Sequence, residues 1–172
     1  MARGDVMDIL DPDETIEALG LPCLRELSTF GALSDEVIVD LMTNGVIRRY
    51  ARGEYISRLD QVASEFEVVL QGRFAFYKHG EDSDVLTRYF CAGEQMGFDL
   101  MIGLISHNGI DVAVEESLLL DISSEQFYEL HVSFPADFGL LMINLSRELA
   151  REIAMLEDVI GKGTGWLGEA AS

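Results

Sequence analysis

Between Val46 and Ser123 the chain breaks into short runs of β-type residues, and this spacing constrains the fold more than any other feature. The runs read VIRRYA, EYIS, FEVVLQ, RFAFYKH, DVLTRYF, IDVAVEE and LLLDIS. Turn residues separate them at Arg52-Gly53, Gly72, Gly80-Glu81-Asp82-Ser83 and Asn108-Gly109. Many short strands at regular spacing predict a sandwich or barrel, here mainly β with about eight strands over residues 46–122. Gly72, alone between VVLQ and RFAF, is expected to close a tight hairpin.

Both flanks read as helical. DPDETIEALG places acids in a first turn, where they meet the positive end of a helix dipole. Residues 1–22 are therefore expected to be a helical extension. In SDEVIVDLMTNG, Ser34 is a plausible N-cap, and Val37, Ile38, Leu41 and Met42 form one inner face. After the strands, Ser123 or Ser124 caps a short helix, SEQFYELHVS. Pro135 then opens a long helix. Phe138, Leu141, Met142, Leu145, Leu149, Ile153, Leu156 and Ile160 recur at steps of three or four, a continuous apolar stripe. Two readings of the distal part are open: packing on the chain's own strands, or pairing with the same helix of a second copy. Residues 161–172 are a Gly-rich tail in which Trp166 and Leu167 are candidates for docking into an apolar groove.

Length and charge limit the function. A chain of 172 residues suits one core. Its net charge of -19 argues against nucleic acid, whose binding draws on Lys and Arg, and against an anionic membrane surface. No apolar leader and no run of membrane-spanning length is seen, so the chain reads as cytoplasmic. Cys23 and Cys91 have neither disulfide nor metal spacing and are expected to be small buried apolar residues. No CxxC, HExxH or GxSxG is present, and no set of nucleophile, base and orienting group is found, so no enzyme, metal or catalytic residue is expected. Arg48, Arg49, Arg52 and Arg58 cluster on one strand pair, either to balance charge or to dock an acidic partner.

The order of elements and several local signatures resemble the cyclic nucleotide-binding domain, the domain of the catabolite activator protein family and of cyclic-nucleotide-gated channels. The resemblance covers about residues 23–160 and rests on LSTFGALSDEVIVDL, RRYARGEYISRLDQ, FEVVLQGRFAFYK, AGEQMG, AVEESLLLDISSEQFYEL and LLMINLSREL. It implies a β-roll or jelly-roll barrel at about 46–122, with C-terminal helices at about 124–160. It also implies a phosphate-binding cassette in which backbone amides and an arginine receive a cyclic phosphate and a glutamate receives the ribose.

Carried over residue by residue, the cassette falls on Met96, Gly97, Phe98, Asp99, Leu100, Asn108, Gly109 and Ile110. Phe98 stands where the family has its glutamate, with Asp99 the nearest carboxylate. Asn108-Gly109 stands near the arginine position, and residues 89–146 contain no Lys or Arg. Arg73 or Arg88 is the remaining source of a cation. Met96, Phe98, Met101, Ile102, Leu104 and Ile105 suit a pocket filled by the chain's own side chains. Leu145, Leu149, Ile153, Leu156 and Ile160 are the expected lid and dimer contacts of the last helix. The expected function is a non-enzymatic regulatory domain, a homodimer that also contacts a protein partner, with weak or altered ligand binding and no cofactor. The alternative is a small-ligand sensor that holds a cyclic nucleotide through backbone amides and a non-standard residue set.

Overall fold

The computed structural model describes residues 8–163. A short strand β1 (Asp8–Leu10) leads into α1 (Pro12–Leu19), α2 (Leu21–Arg25), a 3-10 turn (Ser28–Phe30) and α3 (Asp35–Asn44). Eight strands follow: β2 (Val46–Tyr50), β3 (Tyr55–Ser57), β4 (Glu65–Gln71), β5 (Arg73–Lys78), β6 (Val85–Cys91), β7 (Gln95–Met96), β8 (Gly109–Ala113) and β9 (Ser117–Ser123). A one-and-a-half-turn helix α4 (Phe98–Gly103) sits between β7 and β8, and α5 (Ser124–Ser133) and α6 (Pro135–Gly163) close the chain. The expected strands and flanking helices are all present. The extension over residues 1–22 is not wholly helical, because Asp8–Leu10 pairs with β2 as an edge strand, Ile9 opposite Arg48. Trp166 and Leu167 lie outside the described residues.

The strands form two antiparallel sheets, ordered β1-β2-β9-β4-β7 and β3-β8-β5-β6. β4 explains why the first sheet sits in the middle of the molecule. Its residues Phe66 through Leu70 are all buried, so both faces are covered. Phe66, Val68 and Leu70 face a core shared with Leu24, Phe30, Val37, Ile38, Leu41, Leu141 and Leu145 of the helices. Val69 faces the other way, into a second core with Tyr50, Phe74, Phe90, Met96, Ala113 and Leu119 between the sheets. A strand buried on both faces reads as a continuous apolar run, not as an alternation.

Gly72 does not close a hairpin. β4 and β5 belong to different sheets, and Gly72 is the corner where the chain crosses from one to the other. Its φ of 84° lies in the left-handed region, and a Cβ there would stand 2.3 Å from Ser117 Oγ. Arg73 N donates to the same Oγ at 3.0 Å, so the corner is pinned to the start of β9. Cys23 and Cys91 are exposed free thiols, not buried ones. Cys91 falls on the outward position of β6, next to the buried Phe90.

The helix caps follow the sequence. Ser34 Oγ accepts from Val37 N, and Ser123 Oγ accepts from Gln126 N. In α6 the buried residues are Leu141 and Leu145, both on the helical core. Leu149 packs against that core in part, and beyond it no residue of α6 is buried.

Candidate functional site

Between the four-stranded sheet, α4 and the distal half of α6 lies a cavity of about 390 Å³. That is the size of a small-ligand pocket, commonly about 300–1,000 Å³. Its floor is built by alternation. On β8, Gly109 and Asp111 point inward, while Ile110 is on the opposite face. On β5 and β6 the inward residues are Phe76, Lys78, Arg88 and Phe90, and β3 adds Ile56. Glu152, Met155, Leu156 and Val159 of α6 form the roof, at the i, i+3, i+4 and i+7 spacing of one helix face. Gln95, Met96, Gly97, Asp99 and Leu100 supply the α4 side.

Six of the eight cassette residues therefore line one cavity: Met96, Gly97, Asp99, Leu100, Asn108 and Gly109. Phe98 and Ile110 do not. Phe98 is fully buried on the other side of α4, its ring 5.4 Å from that of Phe66 and 5.8 Å from that of Phe127. Ile110 is turned away by the strand's alternation. Nor is the pocket filled as expected, since Ile102, Leu104 and Ile105 are exposed and Phe98 and Met101 belong to the helical core. Of the expected lid residues, Leu156 lines the cavity, Leu145 and Leu149 pack on the helical core, and Ile153 and Ile160 face solvent.

Cations reach the cavity from other strands. Arg88 lines it, whereas Arg73 stacks on Tyr89 at 5.1 Å. Arg58 and Lys78 also line it, and so do Glu67, Asp111 and Glu152. None of these five was legible as a pocket residue in the sequence, because they come from β4, β5, β8, the loop after β3 and α6, converging only on folding. Their one shared signal is an ionisable residue at an inward position of a strand or roof position of a helix.

Every cation is already engaged. Arg58 is paired with Glu67 and stands 3.5 Å from Glu65. Arg88 meets Glu152 at 2.6 Å and Glu94 at 3.9 Å, with its guanidinium over the Phe90 ring at 4.0 Å. Lys78 Nζ donates to Asn108 Oδ1 at 2.6 Å. The clustered arginines are used the same way: Arg48 pairs with Asp121 and Arg49 with Asp8, inside the chain.

The first turn of α4 is also occupied. Gly97 is left-handed with φ 78°, and a Cβ there would meet Glu67 Oε2 at 3.3 Å. Phe98 N donates to Gln95 Oε1 at 3.0 Å, and the nearby amides of Asp99 and Leu100 favour the charged form of the Asp99 carboxyl. These are the donors that would otherwise receive an anion.

Burial sets the protonation of the acids. It pushes Glu67 up to about 8, against the pull of Arg58. It pushes Asp111 up to about 7, against Arg58 and Arg88. Asp99 is raised by burial and by nearby Glu152, and His107 is lowered by burial and by Arg58. The cavity thus gathers three cations, Arg58, Lys78 and Arg88, among four acids, Glu67, Asp99, Asp111 and Glu152. Among the described residues no cluster of three His, Cys, Asp or Glu could hold a metal ion.

The fold is that of the cyclic nucleotide-binding domain. A cyclic nucleotide-binding domain from Methylobacillus flagellatus matches with a TM-score of 0.77 at 20% identity, over 94% of this chain and 92% of that one. The catabolite activator protein of Thermus thermophilus matches at 0.65 and 21%, over 78% of this chain and 62% of that one. A c-di-GMP responsive global regulator from Xanthomonas campestris matches at 0.62 and 18%, over 70% and 60%. No protein-family model matches the chain, and no curated protein matches it in sequence. No helix among the described residues is long and apolar enough to cross a membrane.

Proposed function

We propose that the chain is a cytoplasmic, non-enzymatic regulatory domain. A small ligand in the cavity sets the position of distal α6, and α6 passes that state to a second copy of the chain and to a protein partner. One observation carries this reading: α6 presents two faces past Leu149. Glu152, Met155, Leu156 and Val159 roof the cavity, while Ile153 and Ile160 are exposed beside them. A ligand that touches the roof therefore acts on the same helix that offers an apolar face to a partner.

A second contact ties α6 to the start of α4. Glu148 Oε2 accepts from Gln95 N at 3.0 Å, and Gln95 Oε1 in turn accepts from Phe98 N. Weak or altered cyclic nucleotide binding follows from the occupied donors. A cyclic phosphate would have to displace Glu67 or Glu152 from an arginine, or approach the Asp99 carboxylate at the start of α4. Breaking a desolvated pair costs several kcal/mol, and each ~1.4 kcal/mol is a tenfold loss of affinity.

Calorimetric titration with cyclic AMP, cyclic GMP and cyclic di-GMP, followed by light scattering, tests the proposal. The expected result is binding weaker than about micromolar for all three, from a protein that scatters as a dimer. The second reading, a sensor that grips a cyclic nucleotide, is favoured by the presence of Arg58 and Arg88 in the cavity. Binding at micromolar strength or better would put that reading in place of the first.

A further inference from the structure

One transverse row of the four-stranded sheet faces the cavity. Ile56 pairs with Asp111, Asp111 with Phe76, and Phe76 with Arg88, across β3, β8, β5 and β6. Side chains in one row point the same way, and all four line the cavity. Phe76 thus stands between Asp111 and Arg88 in the row, with neighbouring strands about 5 Å apart, while the Arg88 guanidinium itself leans over Phe90.

The two charged ends are not equivalent. Arg88 carries a carboxylate on each terminal nitrogen, and although its Nε has no partner it lies against the Phe90 ring. Asp111 has no hydrogen bond or ion pair with any described residue, and its Oδ1 is closed off from solvent. Of the other acids of the cavity, Glu67 is held by Arg58 and Glu152 by Arg88, and Asp99 is exposed. Among the described residues the cavity therefore leaves one buried acceptor unused, Asp111 Oδ1, and one buried donor, Arg88 Nε, on a guanidinium that lies over the Phe90 ring. An unpaired buried carboxyl is costly, and a cation beside it removes that cost. The Phe76 face adds a cation–π contact at the same place.

We propose that the cavity takes an organic cation, an amine with an apolar body, whose ammonium group bonds Asp111 beside the Phe76 ring. Ile56, Phe90 and Leu156 supply the apolar walls for the body. This rests on the reading of the cavity as a ligand site and reverses the charge expected of its ligand. Burial raises Asp111 to about 7, and a cation bound beside it favours its charged form.

Tryptamine and indole-3-propionate test it, since they share a ring and a linker and differ in the sign of the charge. Calorimetry on the full chain is expected to show tryptamine binding at least about tenfold tighter, and Asp111→Asn is expected to remove most of that preference. Phe76→Leu keeps the apolar volume and is expected to weaken tryptamine alone. The comparison of the two probes on the unmodified chain needs no variant, and circular dichroism checks that both variants fold. Equal or tighter binding of indole-3-propionate overturns the amine proposal while leaving the cavity a ligand site. A tryptamine preference that survives Asp111→Asn overturns the role of Asp111. Binding of neither probe nor any cyclic nucleotide at millimolar concentration overturns the ligand-site reading and this proposal with it.

Discussion

Arg88 on β6 and Glu152 on α6 form an ion pair of 2.6 Å across the cavity they both line. Both side chains are largely withdrawn from solvent, 15% and 26% exposed, so the pair is screened little. It ties the part of α6 that has no buried residue to the four-stranded sheet.

Glu152→Gln should therefore loosen distal α6 without disturbing either core. A charge-assisted hydrogen bond of this kind contributes about 1.5–3 kcal/mol, less the residual attraction of Glu94 at 3.9 Å. Hydrogen exchange should quicken at amides beyond residue 150 and stay unchanged in β4, β9 and α3. Uniform exchange across the chain would show that the pair does not hold the helix.

Phe98 and Leu156 should separate stability from binding. Phe98→Ala removes a fully buried ring packed on Phe66 and Phe127, and should lower urea stability by about 3–5 kcal/mol. Leu156 is half exposed, so Leu156→Ala should change stability by about 1 kcal/mol or less and should alter ligand affinity through the cavity roof. If Phe98→Ala leaves stability intact, the ring is not part of the helical core.

Asp111 makes stability depend on pH in a direction opposite to that of a salt-bridged acid. Its folded value, about 7, is above the ordinary carboxylate value, so the folded state holds the proton more tightly. The stabilisation is complete below about pH 4 and is lost as pH rises through about 7. Glu67, raised to about 8, acts in the same sense. The wild-type free energy of urea unfolding should fall from pH 5 to pH 8, by up to roughly 1.4 kcal/mol per pH unit for each such group, and Asp111→Asn should flatten the fall. Parallel pH curves for the two proteins would rule Asp111 out as the source.

Ile153 and Ile160 are 58% and 42% exposed on distal α6. Ile153→Glu with Ile160→Glu should split a dimer in light scattering and leave the monomer's thermal midpoint within a few degrees, since neither residue is in a core. Leu149 is unsuited to this test because it packs on the helical core. A double variant that still scatters as a dimer would place the interface elsewhere.

Order and alternation were legible in the sequence. The short strands, the Ser34 and Ser123 caps and the long helix from Pro135 all stand where local pattern placed them. Periodicity gives which residues share a face, because a strand repeats every two residues and a helix about every 3.6. It does not say what that face meets. Gly72 fits a hairpin by local chemistry equally well, and only the burial of β4 on both sides sends the next strand to the other sheet. Phe98 aligns with a ligand-binding position, yet α4 turns it toward Phe66. The apparent lack of a cation near the cassette was true of residues 89–146 and false of the cavity, because Lys78 and Arg88 arrive from β5 and β6 and Arg58 from the loop after β3. The sequence alone determined the elements and their faces, since those depend on contacts within a few residues. The tertiary structure decided the contents and the charge of the cavity, since those depend on long-range pairing and on which buried acid is left without a partner.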